Sequence, residues 1–330
     1  MSGGTTVVTG ATGFLGARIC RELVDRGERV LAMGRNFSRF EVNHPLCARA
    51  VADLDDEAAL DDACRGADAV IHSAALSTPW GLRRDFQRVN VAGTERLLRC
   101  AARGGVRRFV HVSSSSVTFD NKDRFGVTEA IPRATRFLSF YSESKADAED
   151  AVRRRRDLET VIVRPRAIFG PGDTSLLPRL LRLAREGGLR VIGDGTNLQD
   201  LTYVDNVVDS LLLARDVPLA AGKTYFITND DPVPLWDLIK QFLVAMGVPA
   251  PKRRVPLGVA YAAAASLEWL HRSMPRLGEP KLTRYTVALL GRAQTFDIRA
   301  AKEELGYRPR VSMAEALSRT VGYFQRYADA

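Results

Sequence analysis

Two groups of residues, far apart in the chain, have the types and spacing to do chemistry together. Gly10, Gly13 and Gly16 stand in Val-Val-Thr-Gly-Ala-Thr-Gly-Phe-Leu-Gly at 7–16. Tyr141 and Lys145 stand in Tyr-Ser-Glu-Ser-Lys, downstream of four serines at Ser113 to Ser116. A tyrosine four residues before a lysine shares one face of a helix with it. A free phenol titrates at about 10, too high for proton exchange at neutral pH. A neighbouring ammonium stabilises the phenolate and lowers that value. Tyr141 is therefore the candidate acid/base and Lys145 its partner. One serine hydroxyl can hold a substrate oxygen while the proton moves. Together with the glycine turn, these residues predict redox chemistry on a carbonyl or an alcohol.

The elements that would position them follow an alternating rhythm. Thr5–Thr9 is a β-branched run that suits a buried parallel strand. Helical spacing of Leu15, Ile19, Leu23 and Val24 then predicts a helix over 14–26, ended by Gly27. Between them Gly10 permits the tight turn, Gly13 close approach of a pyrophosphate, and Gly16 close helix–sheet packing. Thr12, Phe14 and Leu15 share that loop, and the helix N-terminus offers free N–H groups to phosphate. The spacing is G-x-x-G-x-x-G rather than the usual G-x-G-x-x-G. Further strands are expected at 29–33, 48–51, 69–72, 108–112 and 160–163, with a long helix over 86–103 and another opening at Tyr141. The pattern predicts a Rossmann-type α/β fold, a doubly wound parallel sheet with a smaller, mainly helical C-terminal substrate lobe. Residues 1–170 form the dinucleotide-binding part, to which 202–228 return. Residues 171–201 and 229–330 form the substrate lobe, with Asp205 expected to cap a helix running to Ala214.

Cofactor choice turns on the end of the second strand, Met33-Gly34-Arg35-Asn36. An acidic residue there would hold the ribose hydroxyls of NAD, whereas Arg35 suits a 2′-phosphate. NADP(H) is favoured and NAD(H) stays possible. Asp53 and Leu54 follow the third strand, where a carboxylate could meet the adenine amino group. Ser73, Ala74 and Ala75 follow the fourth, where small residues would let the cofactor pass.

The bulk numbers narrow the class. The chain has 330 residues, 45% hydrophobic and 26% charged, an ordinary globular composition. No apolar run approaches the ~20 residues of a membrane span, and Met-Ser-Gly-Gly-Thr-Thr does not read as a signal peptide. Peripheral membrane contact through 256–271 stays open beside simple packing of that helix. The formal charge is +9, but the arginines are dispersed, which fits an anionic cofactor or substrate better than nucleic acid. Cys20, Cys47, Cys64 and Cys100 match no metal spacing and read as reduced thiols in a cytoplasmic protein.

On these motifs the chain resembles the extended short-chain dehydrogenase/reductase superfamily over nearly its whole length. Besides the segments above, His72-Ser73-Ala74-Ala75, Asn90-Val91-Ala92-Gly93-Thr94, Arg164-Pro165, Gly170-Pro171-Gly172-Asp173 and Thr202-Tyr203-Val204-Asp205-Asn206 carry the likeness. Gly193-Asp194-Gly195-Thr196-Asn197, the Thr-Tyr-Val-Asp-Asn run and Gly222-Lys223-Thr224-Tyr225 make it most similar to the 3β-hydroxysteroid dehydrogenase family. That family includes sterol-4-carboxylate dehydrogenases and bacterial 2-alkyl-3-oxoalkanoate reductases, whose loop resembles Pro79-Trp80-Gly81. The resemblance implies Tyr141 as general acid/base, Lys145 as its partner and a cofactor ligand, and Ser114 as oxyanion donor with Ser113 as runner-up. It also implies cofactor contact by Asn90, Pro165 and Ile168, and a homodimer built on the helices over 86–103 and 141–156. His111-Val112 ahead of the serines departs from many relatives.

The reading is an NAD(P)-dependent oxidoreductase interconverting a secondary alcohol and a ketone on an apolar substrate, such as a 2-alkyl-3-oxoalkanoate or a 3β-hydroxysteroid. Trp80, Phe137 and Phe140 are candidate walls, and Arg166 or Arg179 a candidate for a carboxylate. The alternatives are a nucleotide-sugar epimerase or dehydratase and a non-catalytic NADP-binding sensor.

Overall fold

The computed structural model describes residues 4–327. Residues 1–3, part of the segment expected to carry no leader, lie outside the described residues. β1 (Thr5–Thr9) is followed by α1 (Phe14–Asp25), which turns Ile19, Cys20, Leu23 and Val24 into the core. The helix stops where Gly27 takes φ +75°. The Gly27 N–H donates to Val24 O and the Glu28 N–H to Leu23 O, both at 2.9 Å, closing the last turn. β2 (Val30–Gly34), β3 (Cys47–Val51), α2 (Glu57–Cys64) and β4 (Ala67–His72) continue the alternation. The long helix expected over 86–103 is a composite. α3 (Arg83–Phe86) passes through a wider π-type stretch, Gln87–Ala92, into α4 (Gly93–Arg103). β5 (Arg108–Val112), β6 (Arg124–Val127), α5 (Phe140–Arg154) and β7 (Glu159–Pro165) follow.

After β7 the strands shorten: β8 (Ile168–Phe169), β9 (Val191–Ile192), β10 (Leu198–Gln199) and β11 (Thr202–Tyr203), with α6 (Leu176–Arg185) among them. α7 (Val204–Asp216) and β12 (Thr224–Ile227) come back to the main sheet. The remainder is β13 (Val233–Pro234), α8 (Leu235–Ala245), β14 (Arg254–Val255), α9 (Leu257–Ser273), α10 (Arg284–Gly291), β15 (Gln294–Phe296), α11 (Arg299–Glu304) and α12 (Met313–Tyr327). Asp205 is not the cap of α7. It lies one residue inside the first turn, after Tyr203 as N-cap, and its carboxylate takes Arg18 at 2.6 Å.

Seven strands form a parallel sheet in the order β12-β7-β5-β4-β1-β2-β3. The order reverses between β1 and β4, which opens a crevice at their carboxyl ends. One face is covered through Leu23, Val207, Leu211 and Ala301 of α1, α7 and α11, the other through Leu60, Leu97 and Val152 of α2, α4 and α5. Each such buried Leu, Ile or Val contributes about 1.5–3 kcal/mol. A third apolar cluster, around Leu177, Trp236, Phe242 and Met313, holds the C-terminal helices together. This is the Rossmann-type, doubly wound architecture.

A second sheet, β13-β10-β15-β6, was not anticipated. β6 reads Arg-Phe-Gly-Val, with Phe125 exposed and Gly126 at φ +57°. It has no alternating pattern, and its partner β15 lies about 170 residues away. The four cysteines are free and buried. Among the described residues no helix is long and apolar enough to cross a membrane.

Candidate active site

The crevice opens into a cleft of roughly 690 Å³. Its first wall is main chain. Gly10 sits at φ +68°, and a Cβ there would stand 2.8 Å from the backbone of Ala74. A Cβ on Gly16 would stand 2.1 Å from Gly10 O, so α1 can start against the turn only with glycine at this position. Ser73 fixes the neighbouring loop by donating its hydroxyl to Thr9 O at 2.7 Å. The unpaired N–H groups of a helix start thus face an open, side-chain-free cradle. That cradle fits a dinucleotide's pyrophosphate.

A buried relay holds the turn from below. Thr94 donates to Asn90 O at 2.6 Å, so His72 Nε2–H donates to the Thr94 oxygen at 2.9 Å. His72 Nδ1 then accepts from the Thr9 hydroxyl at 2.7 Å, and Thr9 Oγ1 takes the Ala74 N–H at 3.3 Å. Burial, seconded by the charge of Lys145, lowers His72 to about 3, so the ring stays neutral.

Lys145 is buried on α5, with burial lowering its pKa to about 8 and Glu149 opposing that shift. Its Nζ donates to Val112 O at 2.6 Å and to His111 Nε2 at 3.3 Å. Two of the three ammonium protons are spent on β5, which leaves one for the cleft. Tyr141 opens α5 after the Ser139 cap and faces the cleft. The lowered phenol pKa expected from Lys145 is not found. Withdrawal from solvent raises the Tyr141 pKa, the nearby Tyr285 adds to this, and only the Ser114 hydroxyl opposes it. Lys145 spends its bonds on the strand instead.

The serines divide. Ser113 donates to Glu149 Oε1 at 2.5 Å. Arg164 grips the same carboxylate with two bonds, at 2.8 and 2.7 Å, and Arg153 adds one at 2.8 Å. Burial alone would raise Glu149, yet these partners hold it below its ordinary value. Ser113 is therefore committed to structure. Ser114 caps the short 3₁₀ turn at Ser115–Thr118 and lies beside the Tyr141 phenol.

The expected cofactor residues reach the cleft with one exception. Gly10, Thr12, Gly13, Phe14, Leu15, Gly16, Arg35, Asp53, Leu54, Ser73, Ala74, Ala75, Lys145, Pro165 and Ile168 all line it. Asn90 does not. Its side chain accepts from Leu76 N at 2.7 Å and donates to Leu76 O at 3.0 Å and Ser144 Oγ at 2.9 Å. It ties the loop after β4 to α5, with both of its amide protons spent inside the protein. Arg35 is exposed at the rim, 3.8 Å from the Asp53 carboxylate.

The second wall is side chain. Leu180 of α6, Leu235, Leu238 and Phe242 of α8, Leu289 of α10 and Leu317 of α12 line it. Tyr285 of α10, Gln199 of β10 and Arg166 join them. Tyr285 and Gln199 carry no spacing signal linking them to Tyr141, so sequence reasoning missed them. The aromatic walls expected at Trp80, Phe137 and Phe140 are not on this cleft. Trp80 and Phe140 hold the Arg272 guanidinium at 5.4 and 5.3 Å, and Phe137 faces Arg133 at 5.5 Å, as cations favour aromatic faces. Arg179 is paired with Glu279.

The relatives fit this geometry. The model of the 3-beta hydroxysteroid dehydrogenase/isomerase family matches residues 7–257. A 2-alkyl-3-oxoalkanoate reductase of Stenotrophomonas maltophilia is 37% identical over 322 residues, 95% of this chain and 97% of its own. The mouse sterol-4-alpha-carboxylate 3-dehydrogenase (decarboxylating) is 34% identical, covering 96% of this chain and 90% of its own. Among solved structures, gox2253 superposes with a TM-score of 0.79 at 27% identity over 98% of each chain. The dTDP-glucose 4,6-dehydratase DesIV of Streptomyces venezuelae, with NAD and TYD bound, gives 0.78 at 26% identity over 98% of each. A glycine cradle, a phenol beside a serine and relatives that oxidise or reduce at a C–O centre agree: the chain belongs to the 3-beta hydroxysteroid dehydrogenase/isomerase family and is an NAD(P)-dependent oxidoreductase.

Proposed function

We propose that this chain interconverts a ketone and a secondary alcohol on a long apolar substrate of the 2-alkyl-3-oxoalkanoate kind, with Tyr141 as acid/base. The observation that carries this is one cleft in which the Tyr141–Ser114 pair meets both the glycine cradle and a wall of leucines. A bound nicotinamide supplies the hydride equivalent. Tyr141, whose phenol stays protonated, hands its proton to the carbonyl oxygen in the reductive direction. Ser114 donates a hydrogen bond to that oxygen as charge builds on it. The remaining Lys145 proton would be free to hold the cofactor's ribose when it is bound, and the leucine wall excludes water.

NADP(H) is the proposed cofactor, because the exposed Arg35 guanidinium at the end of β2 can take a 2′-phosphate once it leaves Asp53. The same reading includes a homodimer through the outer faces of α4 and α5, which sedimentation would measure. The test is purified protein with NADPH or NADH against 3-oxo acids, 3-ketosteroids and nucleotide sugars, followed by nicotinamide absorbance. Reduction of the 3-oxo acids with NADPH is expected. Arg35→Ala should reduce the preference for NADPH about tenfold. Turnover confined to nucleotide sugars, with no net cofactor consumption, would overturn the reading in favour of an epimerase.

A further inference from the structure

Two arginines at the end of β7 have opposite fates. Arg164 is neutralised by Glu149 through two hydrogen bonds. Arg166, two residues on, is also buried, 4% exposed, but has no such partner. Among the described residues no carboxylate comes within 4.0 Å of its guanidinium, and its sole side-chain hydrogen bond runs from Nη2 to Gln199 Oε1. Its Nε–H is buried with nothing to bond to. Asp200 is the carboxylate that senses the Arg166 charge from beyond ion-pair distance; its Oδ2 accepts the Phe296 N–H at 2.8 Å and its Oδ1 is buried without a partner. Gln199 and Leu201 line the cleft but Asp200 between them does not. A buried cation without a counter-ion is costly unless something else supplies one.

Arg166 lines the same cleft as Ser114 and Tyr141. Tyr285 lies close enough to sense the charges of both Tyr141 and Arg166. Loss of solvent keeps the Tyr285 phenol protonated, and the Ser116 and Ser142 hydroxyls lie beside it. Arg166 and Tyr285 thus offer this cleft a charged donor and a neutral one, with Tyr285 the link between Arg166 and Tyr141. Beyond them the wall is aliphatic. A ligand that satisfies this order has an anionic head beside the reacting carbon and a long apolar tail.

We infer that Arg166, assisted by Tyr285, binds the carboxylate of a 3-oxo or 3-hydroxy acid and so selects acids over neutral ketones. This rests on the oxidoreductase reading above and sharpens it. Arg166 is bidentate-capable and Gln199 holds its plane, which suits a carboxylate better than a single lysine charge would. A 3-oxo acid held this way has its carbonyl carbon two bonds from the carboxylate carbon, within reach of Tyr141 and Ser114.

The test compares 3-oxododecanoate with 2-undecanone, the same chain without the carboxylate, using the full-length protein and saturating NADPH. The wild type should show kcat/KM about 100-fold higher for the acid. Arg166→Gln should lower that of the acid about 100-fold and that of the ketone by less than about threefold, while Arg166→Lys restores part of the difference. A second readout needs no turnover: dodecanoate, but not dodecanol, should raise the melting temperature of the wild type and lose that effect in Arg166→Gln. Equal turnover of acid and ketone by the wild type overturns the carboxylate site and leaves the oxidoreductase reading standing. Equal losses on both substrates in Arg166→Gln overturn it too, by showing Arg166 to be structural. If neither substrate is reduced, the proposed 3-oxoalkanoate substrate class falls, and the carboxylate site with it. If Arg166→Gln does not fold, the wild-type comparison and its melting shift decide.

Discussion

The two walls of the cleft are built on different principles. The wall from β1, α1 and β4 is backbone, shaped by the absence of side chains at Gly10 and Gly16. The wall from α6, α8, α10 and α12 is side chain, delivered by helices that meet only in the folded protein. The backbone wall offers directional N–H groups and tolerates almost no change. The side-chain wall offers area and shape, and single residues in it can be exchanged. One molecule thus joins a rigid receptor for a constant ligand to an adjustable receptor for a variable one.

The largest effect should come where the two walls meet. Tyr141→Phe removes the proton donor and keeps the ring, so kcat should fall by roughly 10²–10⁴ with the cofactor's Kd unchanged. A variant with full turnover would break the assignment of Tyr141. Next comes the backbone wall: Gly16→Ala puts a methyl 2.1 Å from Gly10 O. Stability should drop by about 1–3 kcal/mol and cofactor binding should weaken, measured by denaturation and fluorescence titration. The side-chain wall should respond differently. Leu238→Ala should raise KM for a long-chain substrate about tenfold and leave cofactor affinity alone. If cofactor affinity fell as well, the two walls would not be independent.

A different kind of effect is the pH response of Lys145, lowered by burial from an ordinary 10.5 to about 8. Between these values the unfolded chain binds the proton more tightly than the folded one, so this group's contribution favours folding increasingly as pH rises. Below about 8 it is charged in both states and the cost of burying it is complete. Relative to Lys145→Met, the wild type should therefore gain roughly 1–3 kcal/mol of stability between pH about 8 and about 10.5. A flat difference across that range would show that the ammonium is not held out of water in solution.

The same contrast explains what could be read from the sequence. Gly10, Gly13 and Gly16 act within one turn, and Tyr141 and Lys145 within one helical turn, so short-range spacing carries them. Central strands such as β1 and β7 were legible because Thr-Val-Val-Thr and Thr-Val-Ile-Val are short β-branched runs, whereas β3, Cys-Ala-Arg-Ala-Val, gives a weaker signal. Tyr285, Gln199 and the leucines of α8 depend on how distant segments pack, and no local period encodes that. β6 and β15 pair across about 170 residues with no pattern in either. Asn90 lay in the right motif, but its partners Leu76 and Ser144 became visible only in three dimensions. The raised phenol of Tyr141 is hidden from spacing for the same reason: only the fold shows how completely the ring is withdrawn from solvent, with Tyr285 beside it.

The π-type stretch at Gln87–Ala92 has its own consequence. The Gly93 N–H reaches back five residues, to Arg88 O, so the coil there holds one residue more than regular winding needs. The surplus is absorbed within the stretch itself, and regular winding resumes at α4. Removing one residue from it would restore an even spiral and swing everything upstream by about 100° relative to α4. Leu97 and Leu98 could stay in the core only if Asn90 surrendered its grip on Leu76 and Ser144. The surplus residue is the gearing that lets one rod serve two differently aimed surfaces.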